Sequence, residues 1–165
     1  MQIRKAEPRD IAATLEIYNY EVISGISTLD LHPKTEAAWR EWFFAHNRDG
    51  EGHPLLVAEL DGRILGYACL SGYREKEAYR STVELSVYVA PGSRRLGVAT
   101  ALMESIISLA REDENTHMIV SVITAGNAAS ERLHEKFGFS YSGTLHEVGY
   151  KHGEYRDIRN YELFV

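Results

Sequence analysis

Residues 84–99 read Glu-Leu-Ser-Val-Tyr-Val-Ala-Pro-Gly-Ser-Arg-Arg-Leu-Gly-Val-Ala. Apolar and polar residues alternate up to Pro91, which is the period of a β-strand, and after Gly97 the apolar residues recur at helical spacing. The first N–H groups of a helix are unpaired, and the helix dipole favours negative charge there. This junction therefore predicts an anion site strengthened by Arg94 and Arg95, with an ordinary turn carrying two solvated arginines as the alternative.

The turn does not match the common nucleotide-binding loops. Gly92 and Gly97 have the glycine spacing of a P-loop, but Val98 and Ala99 stand where that loop needs Lys and Ser or Thr. A G-x-G-x-x-G motif is also missing from the sequence. The remaining pattern, Arg94-x-x-Gly97-x-Ala99, resembles the pyrophosphate loop of the GNAT acetyltransferases, which binds the diphosphate of acetyl-coenzyme A.

Length and composition exclude several classes of protein. The 165 residues predict one domain over residues 1–165, and a net charge of −6 argues against nucleic acid as a partner. Cys69 is the only cysteine, so an internal disulfide is impossible. Because the N-terminus lacks an apolar signal core and no apolar run approaches the ~20 residues of a membrane helix, we expect a cytoplasmic protein without a membrane partner.

The seven histidines do not predict a metal site. His134-Glu135 begins like a zinc-protease motif, but Gly138 stands where the second histidine should be. We therefore expect no bound metal.

The hydrophobic pattern predicts the element order β-α-α-β-β-β-α-β-α-β-β. Asp10 can cap the first helix, and further helices are expected at 35–46, 97–110 and 127–137. Strands are expected at 2–6, 54–60, 63–70, 81–90, 118–123, 139–147 and 154–164, with a loop at 71–80. This order predicts an α/β fold with a mixed central sheet of about seven strands and about four helices on its two faces, and it is also the order of the GNAT fold.

Three further segments resemble one GNAT branch, the phosphinothricin and methionine sulfoximine acetyltransferases. Residues 81–89 resemble its "TVE-x-SVYV" strand, residues 127–139 its "N-x-x-S-x-x-LHE-x-x-GF" helix, and residues 149–157 its "GYKHG-x-W-x-D" segment. Tyr155 stands where the branch commonly has Trp, and residues 71–80 depart from the branch more widely. These departures affect the expected substrate more than the expected chemistry.

The resemblance implies an acetyl-coenzyme A-dependent N-acetyltransferase that forms a homodimer. Its small-molecule amine substrate would be an amino-acid analogue such as methionine sulfoximine, methionine sulfone or phosphinothricin, acetylated by direct attack in a ternary complex. Such an activity would give resistance to these compounds. Two alternatives remain, namely an acceptor that is a protein N-terminus or a polyamine, and a non-catalytic coenzyme A sensor. Glu84 argues against the sensor, because a pure binder needs no base.

Two residues are the expected catalytic groups. An α-ammonium with a pKa near ~8 is mostly protonated at pH 7, so a base must remove a proton. The resemblance places this base at Glu84, whose alternative is a solvent-facing position on an alternating strand. His134 could relay a proton or orient the substrate, or it could be a buried histidine without a chemical role. Backbone N–H groups near residues 87–89 are expected to stabilise the oxyanion.

The resemblance also implies two sets of binding residues. The expected contacts to acetyl-coenzyme A are Val87, Tyr88, Val89, Arg94, Arg95, Leu96, Gly97, Val98, Ala99, Thr100, Asn127 and Ser130. The expected substrate contacts are Ser27, Thr28, Arg74, Tyr79 and Arg80. Arginine suits a carboxylate, although Arg74 and Arg80 could instead be solvated surface residues, and Asn127 could be a helix N-cap. The Lys151-His152 segment is either a strand connection near the pocket or a dimer contact.

Overall fold

The computed structural model describes residues 1–48 and 53–165, which contain a seven-stranded mixed sheet. The strands are β1 Gln2–Lys5, β2 Leu55–Leu60, β3 Arg63–Gly72, β4 Thr82–Val89, β5 Met118–Thr124, β6 Ser140–Lys151 and β7 Glu154–Phe164. The helices are α1 Ile11–Ser24, α2 Glu36–Phe44, α3 Val98–Glu112 and α4 Ala128–Lys136, and short 3-10 turns cover Pro8–Asp10, Glu77–Tyr79 and Pro91–Ser93. The predicted fold class and element order are confirmed. Among the described residues, no helix is both long and apolar enough to cross a membrane.

The sheet opens in its middle. Its strand order is β1-β2-β3-β4-β5-β7-β6, and β4 and β5 run parallel while their neighbours pair antiparallel. The parallel ladder between β4 and β5 contains three residue pairs and ends where Glu84 lies beside Val120. Both strands continue beyond that pair, to Val89 and Thr124, without pairing with each other. A gap therefore separates the carboxyl ends of β4 and β5.

Helices cover the sheet on both faces. Val83 and Leu85 of β4 pack in an apolar cluster with α3, and Leu133 and Phe137 of α4 pack against the same cluster. The opposite face packs against α1 and α2 through a second cluster, which contains Ile11, Ile17, Leu55, Val57, Tyr67, Cys69, Trp39 and Phe43. Because successive side chains of a strand point to opposite faces, Glu84 and its alternate neighbours face α1 and α2.

Element boundaries differ from the prediction where the pattern is irregular. β6 extends to Lys151 rather than ending at 147, because a register shift between Leu145 and Gly149 interrupts its alternation. β3 extends to Gly72, and the predicted loop contains the short turn Glu77–Tyr79. Gly138 has φ +86°, as expected for a residue that ends a helix.

The prediction that Asp10 caps α1 is wrong. Its side chain makes no capping bond to α1 and is 3% exposed. Its carboxylate instead accepts hydrogen bonds from Arg4 at 2.7 and 2.9 Å and from the backbone N–H of Glu7 at 2.8 Å. The 3-10 turn that begins at Pro8 directs the carboxylate back towards Glu7. Arg4 also donates from its Nε to Oε2 of Glu59 at 2.7 Å.

Asp10→Ala is expected to lower the free energy of unfolding by about 3 kcal/mol at pH 7, because it removes one partner of a largely buried ion pair. Burial raises the pKa of Asp10, but the bonds from Arg4 and Glu7 outweigh it and lower that pKa overall. The contribution is therefore complete above about pH 3.9 and is lost as the pH falls through the depressed pKa. Urea unfolding at pH 7 and pH 3 measures both effects.

The control is Arg40→Ala, which breaks an exposed pair with Glu36 at 3.9 Å and should change the free energy of unfolding by less than about 0.5 kcal/mol. Equal stability of wild type and Asp10→Ala at pH 7 would contradict the expected role of this pair.

Candidate active site

A cavity of about 660 Å³ lies in the gap between β4 and β5. Its walls are residues 85–89 of β4, residues 121–124 of β5, the turn before α3 and the start of that helix, one side of α4 as far as His134, the end of α1 and residues 25–27 that follow it. Consecutive residues of each strand line it, although their side chains alternate between the two faces of the sheet. The cavity therefore lies along the gap and is bordered by side chains from both faces of the sheet.

The turn before α3 has the form of an anion site. Arg95 and Gly97 have positive φ values of +63° and +78°, and a Cβ atom built on Gly97 would meet no heavy atom within 4 Å. The first N–H groups of the 15-residue helix α3 have no intrahelical acceptor, and they adjoin Arg94 and Arg95 at the cavity wall. A diphosphate fits this turn, because the turn offers unpaired N–H donors, two guanidinium groups and open space beside Gly97.

Most of the predicted cofactor residues line this cavity. They are Val87, Tyr88, Val89, Arg94, Arg95, Gly97, Val98, Ala99, Thr100, Asn127 and Ser130. Leu96 lies outside the cavity, and its side chain is 66% exposed. Asn127 is the N-cap of α4, because its Oδ1 accepts a hydrogen bond from the Ser130 N–H at 3.3 Å. It also lines the cavity.

The end of the ladder also leaves backbone groups without strand partners. Up to Glu84, β4 has β3 on one side and β5 on the other. From Leu85 onwards no strand among residues 1–48 and 53–165 pairs with β4 on the side facing β5, so N–H and C=O groups there border the cavity. An extended amide-containing ligand could pair with these groups as an added strand would.

Glu84 lies at the inner end of the gap. It lies half-buried opposite Ser71 of β3, and its carboxylate makes no hydrogen bond or ion pair with any residue that the structure describes. Burial raises the pKa of its carboxyl group. Glu84 does not line the cavity itself: the lining begins at the next residue, Leu85, and the Glu84 side chain points to the face covered by α1 and α2.

His134 lies on the other face of the sheet. It is 4% exposed, and its ring packs against Phe139 and Tyr161 at centroid distances of 5.0 and 6.2 Å. Its Nδ1 lies 2.8 Å from the carbonyl oxygen of Ser130, an arrangement in which Nδ1 carries the hydrogen. Burial lowers the pKa of the imidazole. The structure places His134 at the cavity wall but does not pair it with Glu84.

The predicted substrate residues are divided between two places. Ser27 lines the cavity, and its Oγ lies 3.4 Å from Nδ2 of Asn127. Thr28, Arg74, Tyr79 and Arg80 lie outside the cavity. The Arg74 guanidinium lies over the rings of Tyr73 and Tyr79, at 4.9 and 5.6 Å from their centroids. The structure therefore does not bring these arginines to the cavity.

Lys151 and His152 connect β6 to the loop that follows α1. Lys151 is 2% exposed, and its Nζ donates to the carbonyl oxygens of Glu21 at 3.1 Å and Thr28 at 2.7 Å. Nε2 of His152 lies 3.1 Å from the carbonyl oxygen of Gly25. Residues 25–27 form part of the cavity wall, so the hydrogen bonds of Lys151 and His152 stabilise that wall from outside the cavity.

Sequence reasoning missed one acidic residue of the cavity. Glu21 of α1 is 4% exposed, lines the cavity and forms an ion pair with Arg94. The sequence signal is the spacing of Thr14, Ile17 and Glu21 by three and four residues, which places them on one side of α1, and the structure buries all three. An acidic residue on the buried stripe of a helix indicates a specific partner.

The described residues contain no group of three or more His, Cys, Asp or Glu side chains that could hold a metal ion.

Comparison with known proteins identifies the family. The model of the acetyltransferase (GNAT) family matches residues 16–139, and the chain belongs to this family of acetyl-coenzyme A-dependent N-acetyltransferases.

Among its relatives is the phosphinothricin N-acetyltransferase of Streptomyces coelicolor, with 38% identity over 98% of this chain and 95% of the relative. The L-methionine sulfoximine/L-methionine sulfone acetyltransferase of Pseudomonas paraeruginosa is 38% identical over 98% of this chain and 92% of its own.

Solved structures agree with this assignment. The ribosomal-protein-alanine N-acetyltransferase of Brucella melitensis superimposes with a TM-score of 0.95 at 37% identity, covering 100% of both chains. A phosphinothricin acetyltransferase of Sinorhizobium meliloti, solved in complex with acetyl-coenzyme A, has a TM-score of 0.93 at 30% identity and covers 99% of this chain and 88% of that one.

Proposed function

We propose that this enzyme acetylates the α-amine of a small amino-acid analogue of the methionine sulfoximine, methionine sulfone or phosphinothricin type. The carrying observation is the gap between β4 and β5, which has the turn before α3 at one end and Glu84 at the other, where the Glu84 carboxyl group has no hydrogen-bond or ion-pair partner among the described residues. The turn and the start of α3 would hold the diphosphate of acetyl-coenzyme A, and the unpaired backbone of β4 would align its amide arm. The named substrates of the relatives from Streptomyces and Pseudomonas support the acceptor class.

Glu84 is proposed as the general base. The acceptor must reach the thioester as a neutral amine, and a half-buried carboxylate with a raised pKa accepts a proton closer to the operating pH than an exposed one does. In the transfer, a bond forms between the amine nitrogen and the acetyl carbon while the carbon–sulfur bond breaks. The amine proton passes to Glu84, directly or through water, and coenzyme A leaves as the thiol after protonation.

Direct attack is favoured over an acetyl-cysteine route. Cys69 is 2% exposed on β3, and burial raises the pKa of its thiol to about 12. A thiol with so high a pKa is almost entirely protonated at pH 7, and the thiolate is the nucleophilic form. Amine and thioester would therefore meet in one ternary complex.

A protein N-terminus is the second candidate acceptor. The support for it is the close superposition on the ribosomal-protein-alanine N-acetyltransferase of Brucella melitensis. The two proposals differ in the size of the acceptor, so kinetic comparison separates them.

Release of coenzyme A thiol from acetyl-coenzyme A tests the acceptor class. Methionine sulfoximine, methionine sulfone, phosphinothricin, ordinary amino acids and a peptide with an N-terminal alanine serve as parallel acceptors. We expect saturable turnover with the amino-acid analogues and a kcat/KM at least tenfold lower with the peptide. Turnover confined to the peptide would overturn the proposed acceptor in favour of the second candidate.

Glu84→Gln is expected to lower kcat by about 10² to 10⁴, because the amide keeps the shape of the side chain but cannot accept the amine proton. The affinity for coenzyme A, measured by calorimetry, should stay within about twofold. In the wild type, kcat/KM should decline as the pH falls through the raised pKa of Glu84, so this acid limb should lie above the ~4.3 of an ordinary glutamate.

Cys69→Ala is the matched control on the neighbouring strand and should retain most of the activity. Unchanged turnover in Glu84→Gln would remove Glu84 from the mechanism, and near-complete loss in Cys69→Ala would refute direct attack.

We further propose that the enzyme is a homodimer formed through β6 and β7. Exposed large apolar side chains on these strands are Tyr141, Leu145, Val148, Tyr150, Tyr155 and Phe164. β6 is also an edge strand of the sheet, and apolar edges of this kind favour pairing with another chain. Light scattering at micromolar concentration should give the mass of two chains, and the mass of one chain would contradict the proposal.

A further inference from the structure

The cavity proposed to bind a polyanion contains a buried carboxylate. The Glu21 side chain is 5% exposed at the end of α1, where it faces the turn that precedes α3. Alone, its negative charge would repel a diphosphate bound at that turn. Its contacts give it a different role.

The carboxylate is held on two sides. Its Oε1 accepts a hydrogen bond from Nη2 of Arg94. Its Oε2 lies against Gly25, where an added Cβ atom would be 1.9 Å away, so a side chain at position 25 would displace the carboxylate. Lys151 contacts the backbone carbonyl of Glu21 through its Nζ and thereby fixes the end of the helix.

Arg94 receives a second contact from the same helix. Its guanidinium carbon lies 5.8 Å from the centroid of the Tyr20 ring, so residues 20 and 21 of α1 both contact the group. The Arg94 side chain nevertheless remains 51% exposed, and a guanidinium has five N–H donors. Donors not used by Glu21 are therefore available to a ligand in the cavity.

Arg94 is expected to stay with Glu21 when a ligand binds. If Arg94 left, it would strand an unpaired carboxylate in a buried position, which is strongly unfavourable. A ligand anion must then bind the Arg94 guanidinium in the position in which α1 holds that group. An arginine fixed in advance loses less rotational freedom on binding than a free one, so it binds the anion more tightly.

We propose that Glu21 is a positioning residue that holds Arg94 at the cavity wall for the diphosphate of acetyl-coenzyme A. The inference rests on the proposed binding of the diphosphate at this turn. Under this proposal, the affinity for the cofactor depends on α1 and on the loop that follows α1. Lys151 and His152 hold the end of α1 and this loop through hydrogen bonds.

Calorimetric titration with coenzyme A tests the proposal without any turnover. Glu21→Ala should weaken binding about tenfold, as expected for the loss of one charge-assisted contact. The isosteric Glu21→Gln, whose amide oxygen can still accept a weaker bond from Arg94, should fall between Glu21→Ala and the wild type. Circular dichroism checks that both variants fold.

A truncated donor separates positioning of Arg94 from general damage to the cavity. S-acetylpantetheine carries the same thioester and amide arm but lacks the diphosphate. Its KM should change by less than about twofold in Glu21→Ala, while the KM for acetyl-coenzyme A rises about tenfold. An equal rise for both donors would show a merely structural role and overturn the proposal.

A double-mutant cycle with Arg94→Ala completes the test. If Glu21 acts through Arg94, then Glu21→Ala should not weaken coenzyme A binding further in the Arg94→Ala background. The matched control is Glu131→Gln, which removes the carboxylate of a pair with Arg159 at 2.6 Å outside the cavity and should leave affinity unchanged.

The outcomes are distinct. Unchanged or tighter binding of coenzyme A by both Glu21 variants, or additive losses in the cycle, would overturn the role of Glu21. A wild-type protein that does not bind coenzyme A would instead overturn the proposed binding of the diphosphate at this turn.

Discussion

The short parallel ladder between β4 and β5 is the constraint on which the site depends. Had the two strands paired along their full length, their backbone groups would satisfy one another and the middle of the sheet would be closed. Because pairing ends at Glu84 and Val120, about half of each strand borders a cavity instead. The same separation places the start of α3, with its unpaired N–H groups, at one end of that cavity.

Alternation of side chains along β4 then divides the chemistry between the two faces. Val83 and Leu85 anchor the strand in the cluster formed with α3, so Glu84 must face α1 and α2. A donor bound along α3 and α4 and an acceptor beneath α1 and α2 would meet through the gap. This division also explains why His134, which packs with Phe139 on the donor face, is not a partner of Glu84.

Regular patterns were readable from the sequence, and long-range contacts were not. The alternation of residues 83–89 predicted strand β4, and most of the cofactor contacts implied by the family resemblance line the cavity. Asp10 was misassigned because its partner Arg4 comes from β1, and sequence spacing does not show which side chains meet across elements. The end of β6 differs from the prediction because its bulge breaks the alternation. Arg74 lies over Tyr73 and Tyr79 outside the cavity, and its contact with a substrate stays a prediction.

The role proposed for Glu21 would let an acidic protein build a site for a polyanion. A net charge of −6 gives no general attraction for a diphosphate, so the positive potential must be local. Two arginines and a helix N-terminus supply it, but a flexible guanidinium on an acidic surface has other carboxylates to pair with. A buried carboxylate that holds Arg94 at the wall would remove those alternatives, because Arg94 cannot leave without stranding the carboxylate. The pair neutralises part of the positive charge of the site, but it fixes the position of Arg94.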